Sequence, residues 1–253
     1  MSIQQQTCSD WECIIINDGS TDGGPDVAVS FTRKDSRMRL IDQPNRGLAA
    51  ARNRGLDEVH GRFIQFLDAD DAIEPEKFQL QLQLLSRTPK PGLSYTDYYA
   101  APEDDLQQRH PFYLSPRFVS PNPLHDLILH WETHMSIPIH CFLFDAVFFR
   151  KLRLRFSELL PNHEDWDCWM NVFRHSPIVH YLDRPLAVYR IHPYSMARDK
   201  RLMTDGFLQA LALQRGQFAS GSVEFRLLGR KMLLVRFGYY GHRVLRVFRR
   251  RVG

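Results

Sequence analysis

Three acidic residues close an apolar run at Phe63-Ile64-Gln65-Phe66-Leu67-Asp68-Ala69-Asp70-Asp71. A strand that ends in carboxylates sets them at a sheet edge, within reach of a ligand. Carboxylate oxygens suit Mg²⁺ or Mn²⁺, ions that commonly arrive with a phosphate group. Taken alone, the same residues also read as a solvated turn after a buried strand, with Pro75 opening the next helix. A second group of acids, His163-Glu164-Asp165-Trp166-Asp167, has two readings of its own. A carboxylate there could take a proton from a reacting hydroxyl. The acids could equally serve a helix N-terminus, with Trp166 and Trp169 in the core. Asp18, after the run Cys13-Ile14-Ile15-Ile16-Asn17, is either a ligand contact or an Asx-turn residue before Gly19. Arg52 offers a guanidinium fork for phosphate or a surface salt bridge from a helix. His130 and His134 stand four apart, but Glu132 does not complete the HExxH zinc pattern, and both read as ordinary residues.

The elements that must position these groups follow from hydrophobic pattern and turn chemistry. Glu12 to Asn17 is short, continuous and β-branched, as in a buried strand of a parallel sheet. Asp18 to Pro25 is a turn, and a helix follows from Pro25 to about Arg33. Arg37 to Ile41 is a second strand, Leu48 to Val59 an Ala-rich helix, Phe63 to Leu67 a third strand and Pro75 to Leu85 the next helix. This alternation predicts an α/β domain with a mainly parallel sheet. Ligands in such sheets sit beyond the carboxyl ends of strands, where Asp18 and Asp68 to Asp71 both fall. Ala100 to His134 reads as loops with a short helix near Leu124 to His130. Pro138 to Phe144 reads as a strand, Trp166 to Arg174 as a helix, Ile178 to Tyr181 and Leu186 to Ile191 as short strands, and Ser195 to Gln217 as a helix.

Bulk properties narrow the function classes. The chain of 253 residues is long enough for a substantial core. No apolar run has the length of a membrane span and the N-terminus shows no signal-peptide pattern, so the expected compartment is the cytoplasm. The four cysteines, Cys8, Cys13, Cys141 and Cys168, form no CxxC pairs, which predicts reduced thiols and no structural zinc. Charge is uneven. Residues 222–253 hold nine Lys and Arg against one acid, whereas the whole chain nets +4, so the body is mildly acidic and the tail basic. An anionic partner surface for the tail follows, lipid or nucleic acid.

Four segments in order, Asn17-Asp18-Gly19-Ser20-Thr21-Asp22, Asn45-Arg46-Gly47-Leu48-Ala49-Ala50-Ala51-Arg52-Asn53-Arg54-Gly55, Phe66-Leu67-Asp68-Ala69-Asp70-Asp71 and His163-Glu164-Asp165-Trp166-Asp167, closely resemble the family 2 inverting glycosyltransferases of the GT-A fold. The resemblance covers roughly residues 3–192. It implies a GT-A-like sheet, mainly parallel but mixed, flanked by helices, in a domain over residues 1–217. The nucleotide-binding part would span about 1–99 and the acceptor and catalytic part about 100–195, with a basic helical tail over 218–253. By the same resemblance Asp18 holds the base, Arg52 the base or phosphates, Asp70 the metal, and Asp68 the ribose or the outer sphere of the metal. Asp165 is the catalytic base. Arg190 or His192 in the closing strand and loop approaches the diphosphate, and His192 could join the metal site. Mg²⁺ or Mn²⁺ is the implied cofactor. The implied partners are a nucleotide-sugar donor and a saccharide or lipid-linked acceptor, in cell-envelope polysaccharide or glycolipid synthesis.

The chain departs from the family pattern at its start. The family opens with a strand and a Pro-x-Tyr-Asn type loop, which are absent before Ser2 to Trp11. An N-terminally truncated chain or a misplaced start codon is the expectation, with weak turnover. In the family's sheet the absent strand lies between those ending at Asp18 and Asp68. In the tail, Val244, Leu245 and Phe248 gather on one side, and Arg243, Arg246 and Arg250 on another. Segregation upstream is poor, with Gly238 and Gly241 interrupting it. This predicts peripheral docking at the inner face of a membrane or a helix packed on the body. Nucleic acid ranks lower, since no recognised motif accompanies the charge. The competing class is a glycosyltransferase-like binding or scaffold protein. A nucleotidyltransferase would need a Gly-rich triphosphate loop near the N-terminus, and none is present.

Overall fold

The computed structural model describes residues 2–89, 91–193, 195 and 198–241. The continuous apolar run at the start becomes strand β1 (Cys13–Asp18). Helix α1 (Gly24–Thr32) carries the chain back to β2 (Met38–Gln43), which pairs with β1 in parallel from Cys13↔Met38 to Asp18↔Gln43. Both strands therefore deliver their carboxyl ends to one edge. A Cβ on Gly19 would lie 2.8 Å from the Asn45 amide nitrogen, and its φ is +72°. Glycine is required there for the loops after β1 and β2 to touch. Helix α2 (Leu48–Glu58) follows, with Ala49, Ala50 and Leu56 buried.

A second, larger sheet holds β3 (Phe63–Ile64), β4 (Ala72–Ile73), β5 (Gly92–Pro102), β6 (His110–Pro111), β7 (Phe142–Asp145) and β8 (Ile178–Ile191), in the order β3-β7-β5-β8-β4 with β6 on β5. Its β5–β8 ladder is parallel and its other ladders are antiparallel, so the sheet is mixed. No ladder joins β1 to β3. The division falls where the family resemblance sets a further strand.

Three sequence expectations are corrected here. The strand expected over Phe63 to Leu67 pairs only at Phe63 and Ile64. The two short strands expected over 178–191 are one strand. Its register against β5 jumps from Thr96↔Leu182 to Asp97↔Pro185, so the irregularity absorbs Asp183 and Arg184, and Pro185 stands at a point where the ladder is already broken. Strand β5, within a stretch of which part was read as loop, is the central strand of the larger sheet.

Helices α3 (Lys77–Leu85), α4 (Pro123–Leu129), α5 (Val147–Arg150), α6 (Glu164–Phe173), α7 (Lys200–Gly216) and α8 (Val223–Arg236) complete the fold. The core joins Trp166 and Trp169 of α6 to Phe142 and Phe144 of β7 and Phe207 of α7. Trp169 and Phe144 stack at 4.7 Å. All four cysteines are free, Cys141 and Cys168 buried. Among the described residues no helix is long and apolar enough to cross a membrane. The expected grouping of Val244, Leu245 and Phe248 against Arg243, Arg246 and Arg250 lies outside the described residues.

Candidate active site

One guanidinium ties three distant segments together. Helix α2 buries its alanines against the body and turns Arg52 inward, with 9% of its side chain exposed. Its Nη2 donates to both oxygens of Asp68, at 2.9 and 3.1 Å, and its Nη1 donates to Glu164 Oε1 at 2.5 Å. The Phe156 ring lies 5.4 Å beneath. Burial works to discharge Arg52, but the carboxylates of Asp68, Glu164 and Asp165 outweigh it and hold the group firmly protonated. The acid loop after β3 and the acidic start of α6 thus face one another across Arg52.

The loop Asp68 to Asp71 leaves the ladder and closes on itself through the Asp71 amide donating to the Asp68 carbonyl at 3.1 Å. Asp71 points inward, its side chain 3% exposed. Its Oδ1 accepts from the Arg190 amide at 2.8 Å, and its Oδ2 lies 2.8 Å from His140 Nδ1. This fastens the loop to β8, and β8 brings His192 Nε2 to 3.2 Å from Asp70 Oδ2. Asp70 is half exposed. Burial first, and then the Asp71 and Asp68 charges, raise its pKa above the ordinary aspartate value, with His192 pulling the other way.

Asp70 and His192 are a sparse donor set, and among the described residues no group of three or more His, Cys, Asp or Glu side chains could hold a metal by itself. Two protein ligands suit an ion that arrives with a diphosphate, whose oxygens and waters complete the octahedron. Arg190 Nε is buried without a hydrogen-bond partner among the described residues, an unmet donor next to this loop. The residues present therefore fit a divalent ion carried by an anionic ligand.

At the other end, Asp18 organises the loop before α2. Its Oδ1 accepts from Gln43 Nε2 at 2.7 Å and the Arg46 amide at 2.9 Å, and its Oδ2 accepts from the Gly47 amide at 2.8 Å. Burial alone would raise its pKa, but these hydrogen bonds outweigh it and hold Asp18 below the ordinary range. The side chain that closes the turn is that of Asn17, whose Oδ1 accepts from the Ser20 amide at 3.0 Å.

Helix α6 opens with His163 in the left-handed region at φ 60°, a conformation that costs energy for a residue with a Cβ. The ring is held on both sides, Nδ1 against Asn162 Oδ1 at 2.5 Å and Nε2 against Glu132 Oε1 at 2.8 Å, and stacks on Phe207 at 4.7 Å. Three acids follow, and two are committed. Glu164 belongs to Arg52. Asp167 is buried and accepts from Gln214 Nε2 at 2.7 Å. Asp165 has only the Trp166 amide, at 2.6 Å, as a hydrogen-bond partner among the described residues. Burial, then the Glu164 charge, push its pKa up to about 6, against the pull of Arg52 and His163. A carboxylate with that pKa and no side-chain partner is suited to accepting a proton near neutral pH.

The structure brings Arg52, Asp68 and Asp165 into one charge-coupled group, and Asp70, His192 and the backbone of Arg190 into its neighbour. Asp18 stands apart at the loop before α2. Nothing local marks His140, which lies 69 residues beyond its partner Asp71 in the chain. His163 and Glu164 lay inside a recognised segment, but their partners were not legible there.

The family model for glycosyl transferase family 2 matches residues 1–152. EpsJ of Bacillus subtilis, an uncharacterised glycosyltransferase, is 29% identical over 196 residues, which are 77% of this chain and 57% of EpsJ. Matches to the first curated relatives span from 24% to 57% of their own length. S. aureus TarS 1–349 in complex with UDP superposes with a TM-score of 0.66 at 16% identity, covering 94% of this chain and 66% of that one. The mannosyltransferase PcManGT of Pyrobaculum calidifontis, in complex with GDP-Man and Mn²⁺, superposes with a TM-score of 0.64 at 14% identity, covering 93% and 64%. These likenesses show the fold.

Proposed function

The chain belongs to glycosyl transferase family 2, and on that premise we propose that it transfers a sugar from a nucleotide-sugar donor to a saccharide or lipid-linked acceptor, with inversion, in cell-envelope polysaccharide or glycolipid synthesis. The observation that carries this reading is the Arg52 bridge between Asp68 and Glu164. It sets a candidate metal–diphosphate anchor and a candidate base on either side of one cation.

Each residue has a role consistent with its surroundings. Asp18 accepts a hydrogen bond from the base of the nucleotide and shapes the loop beneath it. Asp70 and His192 would hold Mg²⁺ or Mn²⁺, and the bound ion would offset charge that grows on the leaving diphosphate. Arg190, whose backbone amide fastens Asp71, would approach the same anion. Asp165 takes the proton of the acceptor hydroxyl. That oxygen forms its bond to the anomeric carbon as the bond to the diphosphate breaks, and the electron pair leaves with the diphosphate. One displacement inverts the centre. Arg52 aligns Asp68 and Glu164, and its charge keeps Asp165 ionisable in a site where burial would otherwise keep it protonated.

The test pairs binding with turnover. Isothermal calorimetry with UDP or GDP and Mn²⁺ reads donor-side binding, and a radiolabelled nucleotide-sugar panel reads transfer. Asp70→Ala should lose metal-dependent nucleotide binding and transfer together, whereas Asp165→Asn should lose transfer alone. A wild-type protein that binds nucleotide and transfers nothing to any acceptor fraction would favour a binding or scaffold role.

A further inference from the structure

Helix α8 carries its side chains in an unusual sense for a helix that packs on the body. Its inner face buries Leu228 together with a lysine. Lys231 Nζ donates to the Leu129 carbonyl at 3.1 Å and the Trp131 carbonyl at 2.8 Å, closing the end of α4. Its outer face leaves Leu233 and Leu234 at 56% and 57% exposure, and Phe237, which opens the π-helical turn Phe237–Gly241 just past its end, is 71% exposed. At 100° per residue Arg226, Arg230, Leu233, Leu234 and Phe237 fall within an arc of roughly 100°, with Arg236 beside it. Arg230 and Arg236 form no salt bridge among the described residues, and Arg226 donates to the Gly221 carbonyl and feels the Glu224 charge without a salt-bridge contact. The acid of the helix, Glu224, lies on the opposite side and is held by His125 at 3.0 Å. The poor segregation expected upstream in the tail holds, since the inner face carries a lysine and the outer arc mixes arginine with leucine and phenylalanine. A lysine at a core position blurred the pattern, while the solvent arc itself is purely basic and apolar.

A clustered apolar patch rimmed by one sign of charge marks an interaction surface. Leucine and phenylalanine can enter between lipid headgroups while arginines meet their phosphates. We propose that the outer face of α8 docks the protein on an anionic lipid surface. A bilayer satisfies both halves of the patch, and a protein partner would have to supply an acidic surface with an apolar seat.

The inner face gives the docking a consequence that rests on the transferase reading above. Trp131, whose carbonyl Lys231 holds, is followed by Glu132. Glu132 fixes His163, and His163 leads directly to Glu164 and Asp165. The helix that meets the lipid therefore also braces the loop ahead of the candidate base, as a lipid-linked acceptor would require.

The full chain should float with vesicles of phosphatidylglycerol and phosphatidylcholine and stay behind with phosphatidylcholine alone. The Leu234→Ser, Phe237→Ser double variant and, separately, Arg230→Glu should each lower the floated fraction about tenfold. Circular dichroism should show an unchanged fold, and nucleotide affinity should be unchanged. Flotation that survives both variants overturns the proposal. So does a wild type that floats on neither vesicle, or a dimer in sedimentation that the same substitutions dissolve. Flotation is read without any sugar transfer, so absent nucleotide binding would count against the transferase reading and leave the docking result standing.

Discussion

The acid loop at Asp68 to Asp71 and the acidic start of α6 solve the same problem at different depths of burial. Each holds three acids and commits two of them to structure. In the loop, Asp68 goes to Arg52, and Asp71 to His140 and the Arg190 amide, leaving Asp70 for a ligand. In the helix, Glu164 goes to Arg52 and Asp167 to Gln214, leaving Asp165. The two remaining carboxylates differ in what surrounds them. Burial and the Asp71 and Asp68 charges raise the pKa of Asp70 as well, but its side chain is half exposed and His192 pulls the other way, so a bound cation can hold it ionised. Asp165 is desolvated beside a like charge, conditions that raise its proton affinity into the range of a working base. The same residue type thus receives different chemistry from its setting.

The strongest way to break this comparison is Asp165→Asn, which keeps the shape and removes the base. Transfer should fall by about 10³-fold, within the usual range for a general base, with nucleotide affinity unchanged in calorimetry. Equal transfer by wild type and variant would return Asp165 to the role of a helix-start acid.

Arg52→Met tests whether both regions depend on one cation. It leaves Glu164 buried and unpaired, so urea unfolding should show a loss of about 3 kcal/mol. The pH midpoint of transfer should also rise, because Asp165 loses a stabilising positive charge. A variant as stable as wild type would separate the two regions.

Within the loop, Asp70→Ala should weaken Mn²⁺-dependent nucleotide binding about 30-fold, in the range typical of disturbed metal sites. Asp71→Asn should weaken it by less, because its carboxylate fastens the loop to β8 and contacts no ligand in the proposed scheme. The reverse ranking would exchange the two roles.

The smallest effect sharpens the contrast through pH. Transfer should rise as pH increases through about 6, as Asp165 ionises. Stability runs the other way. A carboxylate whose folded pKa lies above its ordinary value is costly to the fold once ionised. That cost is absent below about pH 4 and complete above about 6. Asp165→Asn should therefore melt higher than wild type at pH 8 and match it at low pH. No gain at pH 8 would show that Asp165 is not desolvated.

Much of the fold was legible where the burial of an element is one-sided or its ends carry turn residues. β1, α1, β2, α2 and α3 lie within two or three residues of their sequence expectations at nearly every boundary. β5 was not legible because nine of its eleven residues are buried or central to two ladders, so no apolar–polar alternation marks it. Asp183-Arg184-Pro185 looked like a break because these residues form an irregularity within β8 itself, across which pairing with β5 resumes in a shifted register. Among the site residues, Asp18, Asp68, Asp70 and Asp165 stood in recognisable segments. Their partners did not, because Arg52 to Glu164, Asp71 to His140 and His163 to Glu132 are contacts between residues far apart in the chain.

The family, the alternation of strands and helices that opens the fold, and the short list of carboxylates able to hold a metal or take a proton can all be read from the residues in order. Residue types, spacing and hydrophobic period are local properties and survive in a string of letters. Only the tertiary structure decided which acid in each cluster is spoken for and which is free, and that α8 buries a lysine while presenting leucine and phenylalanine to solvent. Those assignments depend on desolvation and on neighbouring charge, which arise when distant segments pack around Arg52, His140 and Lys231.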